Sequence, residues 1–274
     1  MRSLLAAGLL AVVIASAAFR LQEPLGRQTS ASPETLALAS SDEIPGDVAM
    51  MDSDAGAEAV APVVVQRIGI QAGHWRAAEA PDELAGIRSN GTSAGGHAEW
   101  RVNLDIAERT ARLLEEAGYE VDVLPATVPP GYRADLFISI HADGSTDTRI
   151  SGYRSAAPRN DRTGRSAAFA QHVDRVYGEV TGMRYYPVIT RRMTNYYAFN
   201  SRRFDHAIHP ETVAIIIETG FLTNPGDRSV LVNSADLIAT ALARAVTSYG
   251  EIVAATGWPT APVPPEPQSN RRRG

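Results

Sequence analysis

Between residues 62 and 256 the chain alternates short apolar runs with longer stretches of helical spacing. "VVVQRIGIQ" (63–71), "YEVDVL" (119–124), "ADLFISI" (134–140) and "ETVAIII" (211–217) are strand-like: six to nine residues rich in Val and Ile, bounded by turn-forming or polar residues. Between them, "HAEWRVNLDIAERTARLLEEAG" (97–118) sets Val102, Ile106, Leu113 and Ala117 on one helical face, and Gly118 supplies a helix stop. A second helix is predicted over about 161–180. "SADLIATALARAVTSYGEIVAA" (234–255) closes the domain as an amphipathic helix opened by Ser234. Strands separated by helices predict an α/β fold in three layers, a mostly parallel twisted sheet with helices on both faces.

The flanks break this pattern. Arg2 followed by the apolar stretch 4–19, with Ala15-Ser16-Ala17 as a small-x-small site, predicts an export segment over 1–20, either a cleaved signal peptide or an uncleaved anchor tethering the chain to a membrane. Residues 21–61 lack periodicity, and between 42 and 58 they carry Asp42, Glu43, Asp47, Asp52, Asp54 and Glu58 without a balancing arginine, which predicts a disordered acidic linker. Residues 257–274 are proline-rich and end in three arginines, a predicted disordered tail. The domain proper is therefore 62–256, and its expected location is extracytoplasmic: periplasm, cell wall or medium.

Composition narrows the chemistry. With no cysteine among 274 residues, thiol nucleophiles, thiolate metal sites and disulfides are excluded, so any metal must be held by His, Asp, Glu or neutral oxygen. All 26 basic residues are arginine, which excludes Schiff-base lysines and a lysine phosphate loop. A net charge of -5 and an export segment argue against a nucleic-acid partner.

Three predicted strands end in groups capable of chemistry: "IGIQAGHW" in His74, "LFISIHAD" in His141 and "AIIIETGF" in Glu218. In a parallel sheet that common edge is where ligands bind. Two histidines and one carboxylate make a zinc triad with an open fourth position, and both Glu99 and Glu218 are candidates for the carboxylate. The short HExxH spacing is absent. His206 and His209 precede Pro210 and read as a surface loop, His97 lies too near Glu99 along a helix to share its metal, and His172 sits inside a helix.

The set "GIQAGH", the helix-opening glutamate of "GHAEWRVNLDIAERTARLLEEAGYEVDVL", "DLFISIHAD" and "AIIIETGFLTNP" resembles the zinc-dependent N-acetylmuramoyl-L-alanine amidases of type 3, in order through residues 66–250. The resemblance implies a phosphorylase/hydrolase-like α/β sheet, peptidoglycan as substrate, and one zinc ion per domain held by His74, Glu99 and His141. It implies Glu218 as the catalytic carboxylate, moving a proton from water to the leaving amine of L-alanine, with Gly220 and Phe221 shaping the turn that aims it and Asn224-Pro225 ending that turn. Asn103, one helical turn after Glu99, is the candidate to orient it.

Where the family usually has Asp-Pro-Gly-His-Gly, this chain has Gln71-Ala72-Gly73-His74-Trp75; the Trp75 ring is expected either to stack on a sugar or to wall the cleft. The segment before "FISIHA" is short, "PATVPPGYRA", which alters the rim of the site. The arginine-rich stretch 149–205, with Arg191 and Arg192 of "RRMTNYYAF" foremost, is expected to meet the carboxylates of the stem peptide. Two other readings share these residues: an inactive or activator-dependent wall-binding module, and a zinc peptidase acting within the stem peptide. The identity of any protein activator is not legible in the sequence.

Overall fold

The computed structural model describes residues 63–262, so the expected export segment and acidic linker lie outside the described residues, as does the tail beyond Pro262. In chain order the elements are β1 (Arg67–Ala72), β2 (Ser93–Ala94), β3 (His97–Ala98), α1 (Glu99–Glu116), β4 (Glu120–Leu124), β5 (Leu136–Asp143), β6 (Arg154–Ala156), α2 (Arg165–Thr181), α3 (Arg191–Thr194), β7 (Val213–Phe221), α4 (Pro225–Asn233) and α5 (Ala235–Thr256), with three short 3-10 turns between them.

The apolar runs form one sheet in the order β4-β1-β5-β7-β6. The first four strands are parallel, and β6 is added antiparallel to β7. Because β1, β5 and β7 are neighbours, their carboxyl ends lie side by side. The strands are buried on both faces, which is why β5 and β7 read as nearly continuous apolar runs rather than alternating ones.

Alternate residues of each strand still serve different layers. Ile68, Ile70, Leu136, Ile138, Ile140, Ile215 and Ile217 face the core shared with α1, α2 and α5. Phe137 and Ala214 face the opposite side, under Leu84, Val128, Tyr132 and Tyr197, so that layer is built from short helical turns and loops. Helix α5 is long and apolar enough to cross a membrane, but 56% of its most apolar window is buried in the protein, with Ile238, Leu242, Val246 and Tyr249 fully or almost fully enclosed. It is a core helix.

Three expectations are corrected. On α1, Leu113 and Ala117 are exposed and the buried stripe runs through Val102, Ile106, Ala107 and Leu114, because the helix also buries the polar side chains Glu99, Asn103 and Thr110. Asn224-Pro225 does not end a turn but starts α4: Asn224 accepts from the amides of Gly226 and Asp227, and proline takes the first helical position. The chain also stays packed beyond residue 256. Trp258 and Ala261 lie against the core, and the Ala261 amide donates to the Gly164 carbonyl at 3.0 Å.

Candidate active site

Helix α1 begins at the sheet edge, so its first residue, Glu99, points toward the ends of β1 and β5. Its Oε1 lies 3.1 Å from His141 Nδ1 and 3.3 Å from His74 Nε2. The two imidazoles meet edge to face, with ring centroids 4.9 Å apart and planes at 89°. One donor atom from each of the three residues lies within 4.8 Å of the others.

Backbone conformation makes this approach feasible. Gly73 passes so close to His141 that an added Cβ would sit 2.5 Å from its ring. His74 and Arg76 both adopt left-handed φ, 64° and 56°, a conformation uncommon for such residues and often found at functional sites. Gly91, at φ 122°, leaves room for the His74 ring.

Hydrogen bonds fix Glu99 from several sides. The Thr92 amide donates to Oε2 at 2.7 Å, and the Ala142 amide to Oε1 at 3.2 Å. Asn103 Nδ2 donates to the Gly73 carbonyl at 3.0 Å and reaches Glu99 Oε1 at 3.4 Å, so it ties the helix to the loop that carries His74. Burial alone would raise the Glu99 carboxyl, but the hydrogen bonds and charges of His141 and His74 outweigh it and hold it well below the usual carboxylate range. Burial likewise opposes protonation of His74, and Glu99 with Asn90 overcomes it, raising the imidazole.

The set fits a metal ion. Two histidines and a carboxylate are a zinc donor set with room for a further ligand. His141 Nε2 is buried with no hydrogen-bond partner among the described residues, an arrangement that is costly unless something takes up its donor or acceptor capacity.

Glu218 stands beside this cluster, paired in register with His141 across β5 and β7. It lies within β7 rather than at its end, as His141 lies within β5, because both strands continue past the site. The register shifts between His141 and Asp143, an irregularity of the kind that re-aims side chains at active sites. Glu218 is partly exposed as a residue, yet its Oε2 is buried with no partner among the described residues. Burial, then the charges of Asp143 and Glu99, push its carboxyl well above the usual range, while Arg154 pulls it down.

A family model described as "N-acetylmuramoyl-L-alanine amidase" matches residues 68–248. The chain belongs to the N-acetylmuramoyl-L-alanine amidase family. Membership makes it a cell-wall amidase, a hydrolase. Among curated relatives, the N-acetylmuramoyl-L-alanine amidase AmiA of Escherichia coli (strain K12) is 26% identical over 211 residues, spanning 60% of this chain and 72% of the relative. Among solved structures, the N-acetylmuramyl-L-alanine amidase Ami1 of Mycobacterium smegmatis is similar with a TM-score of 0.51 at 16% identity, over 70% of this chain and 100% of that one, a likeness of fold.

Within this amidase domain the other expected residues are distributed unevenly. Trp75 lines a cleft that also reaches His74 and Glu99. Arg191 and Arg192 are exposed on α3 and do not line that cleft. The same "RRMTNYYAF" segment reaches the site through Tyr196, whose ring packs edge-on against His141 at 5.6 Å and whose hydroxyl donates to Gln71 Oε1 at 2.9 Å. Gln71, fully buried, also accepts from Ser139 and donates to the Ala126 carbonyl and Tyr197 Oη, forming a polar floor beneath the histidines.

Tyr196 carries no sequence signal for this placement. Arg154 is a second residue that sequence reasoning missed as part of the site. It lies opposite Glu218 in the β6–β7 register, is buried, bonds Asp143 and the Val188 carbonyl, and stacks near Tyr186 and Phe221. Of the remaining histidines, His97 lies in β3, before α1 rather than on it, His206 bonds Glu83 at 2.7 Å, His209 lies 2.6 Å from Arg133, and His172 lies 2.8 Å from Ser248 Oγ.

Proposed function

We propose that this protein is an exported zinc hydrolase that cleaves the amide bond between N-acetylmuramic acid and L-alanine of the peptidoglycan stem peptide. The reading rests on one observation above others: the donor atoms of His74, Glu99 and His141 converge within 4.8 Å beside a carboxylate, Glu218, that is in register with one of them. In this reading His74, Glu99 and His141 hold the zinc, and Asn103 orients Glu99. The bound ion supplies Lewis acidity toward the scissile carbonyl and lowers the pKa of water to about 7.

The chain's own groups do the rest. Glu218 takes the proton of the attacking water on its carboxylate and delivers it to the nitrogen of L-alanine as that bond breaks. Glu218 stands on an apolar strand opposite Arg154, which pairs with Asp143, and Thr219 Oγ1 donates to the His141 carbonyl at 2.8 Å across the two strands. Export through residues 1–20, a linker over 21–61 and a tail after the packed domain complete the proposed organisation, with the sequence of those segments as its support.

The test is release of intact stem peptides from purified peptidoglycan by the full chain, with zinc, with chelator, and as Glu218→Ala. Expected are loss of release in both controls and a Glu218→Ala protein that still binds one zinc. Shortened stem peptides as products would identify a peptidase instead. No cleavage by a zinc-loaded, folded protein would leave a wall-binding module or an enzyme needing an activator.

A further inference from the structure

The cleft beside the metal cluster has a volume of about 480 Å³, within the range of ligand sites, and two of the chain's three tryptophans, Trp75 and Trp100, line it. Trp100 follows Glu99 directly on the first turn of α1. The residue that closes the histidine cluster and the indole that walls the cleft are therefore consecutive, and anything stacked on Trp100 lies next to the reacting centre. Trp100 is 37% exposed although it is a large aromatic, whereas Trp75 packs partly against the core and so forms a wall. Each indole has an arginine near its ring, Arg76 at 6.0 Å from Trp75 and Arg101 at 5.0 Å from Trp100.

Charge selects the ligand. Arg76 and Arg88 both line the cleft, but Arg76 is bonded to Glu79 and Arg88 to Asp82 and the Ala80 carbonyl. The charges of Arg76 and Arg88 are already balanced at the rim and the Glu99 carboxylate lines the cleft, so, with Arg101 lying beside the Trp100 ring, its lining offers mainly aromatic surface and the neutral polar groups of Asn90, Thr92 and Ser93. A stem peptide, with its free carboxylates, gains little there. An N-acetylated sugar fits: its ring has an apolar face for the indole, and its hydroxyl and acetamide groups find amide and hydroxyl partners.

We propose that this cleft is the glycan subsite of the amidase, with Trp100 as the platform on which the muramyl sugar stacks and Trp75 as its wall. The assignment rests on the amidase reading above and adds the side on which the sugar lies. It makes Trp100 a specificity residue for the glycan half of the substrate, and leaves the peptide to the other side of the metal cluster.

The test reads sugar binding without catalysis. The full chain, as Trp258→Phe so that only cleft tryptophans emit and with chelator present, is titrated with the peptide-free disaccharide of N-acetylglucosamine and N-acetylmuramic acid, its lactyl carboxyl capped as the simple amide, and separately with free stem peptide. The expected result is a saturable change in tryptophan emission with the disaccharide and none with the peptide. Trp100→Ala is expected to weaken disaccharide binding about five- to tenfold, while Trp100→Phe keeps most of it. In wild type the indole N–H resonances give the same reading without substitution in the cleft, whatever Trp100→Ala does to folding.

A response to the peptide and not the disaccharide, no response to either, or an unchanged affinity in Trp100→Ala would overturn the proposal. Failure of the amidase reading shows elsewhere, as absent zinc binding or absent stem-peptide release. Sugar binding that fails while release is intact therefore rejects only the subsite.

Discussion

Asp174 shows how one side chain sets a pH dependence outside the active centre. It lies on α2 against β6, and its Oδ1 is buried without a partner among the described residues. Burial pushes its carboxyl up to about 7, against the smaller opposing effect of hydrogen bonds from Ser155. A carboxyl whose folded value lies above its unfolded one lends stability in acid, and that contribution is lost as pH rises from the unfolded value through about 7. Asp174→Asn removes the ionisation, so its advantage over wild type should be small near pH 4 and grow to about 1–3 kcal/mol at pH 8. Melting temperatures at the two pH values check this; an advantage that shrinks with rising pH would contradict it. The same scale explains why His74, His141 and Glu218 were legible as candidates. A polar group at the carboxyl edge of a buried apolar strand is conspicuous in a linear pattern, whereas Arg154 sits in a strand of only three residues with no periodicity to mark it.

At the scale of elements, the capping of α4 reaches the site. Asn224 bonds the amides of Gly226 and Asp227 and donates to the Thr148 carbonyl. Asp227, held in the first turn, accepts from the Gly152 and Phe221 amides and from Ser151 Oγ, which ties the end of β7 to the segment leading into β6. Asn224→Ala should cost about 1–2 kcal/mol of stability, a drop of about 2–6 °C in melting temperature. An unchanged melting curve would show that the cap carries no weight. Strong periodicity made α1, α2 and α5 readable from sequence to within a few residues. Helix α4 was missed because Asn-Pro is equally a turn signal and a helix start, and only the acceptors around it distinguish the two. The buried stripe of α1 was misjudged for a related reason: hydrophobic spacing does not count Glu99, Asn103 and Thr110 as core, although all three are buried.

At the scale of the whole molecule, the long helices cover one face of the sheet while short turns cover the other, and the chain after α5 returns to the core. Trp258 packs near Tyr249, with ring centroids 6.5 Å apart, and Arg165 lies 5.8 Å from its ring. Ending the chain after Gly257 should therefore destabilise the domain by about 1–3 kcal/mol, from the apolar area Trp258 buries, while ending it at Pro262 should leave the melting temperature unchanged. Equal melting curves for the two truncations would place the domain boundary at 256 after all.

The sequence by itself determined the class of fold, the apolar strands that lead to His74, His141 and Glu218, the exclusion of thiol and lysine chemistry, and the family. Each is written in short-range order: alternation, spacing and motif lie within a few residues of one another. Only the tertiary structure decided that Asn103 ties Glu99's helix to the Gly73 carbonyl, that β6 sets Arg154 opposite Glu218, that Tyr196 packs under His141, and that Trp75 and Trp100 share one cleft. Those contacts join residues far apart in the chain, 125 positions in the case of Gln71 and Tyr196. Periodicity states which face a side chain takes on its own element; which distant segment comes to cover that face is set by how the layers pack.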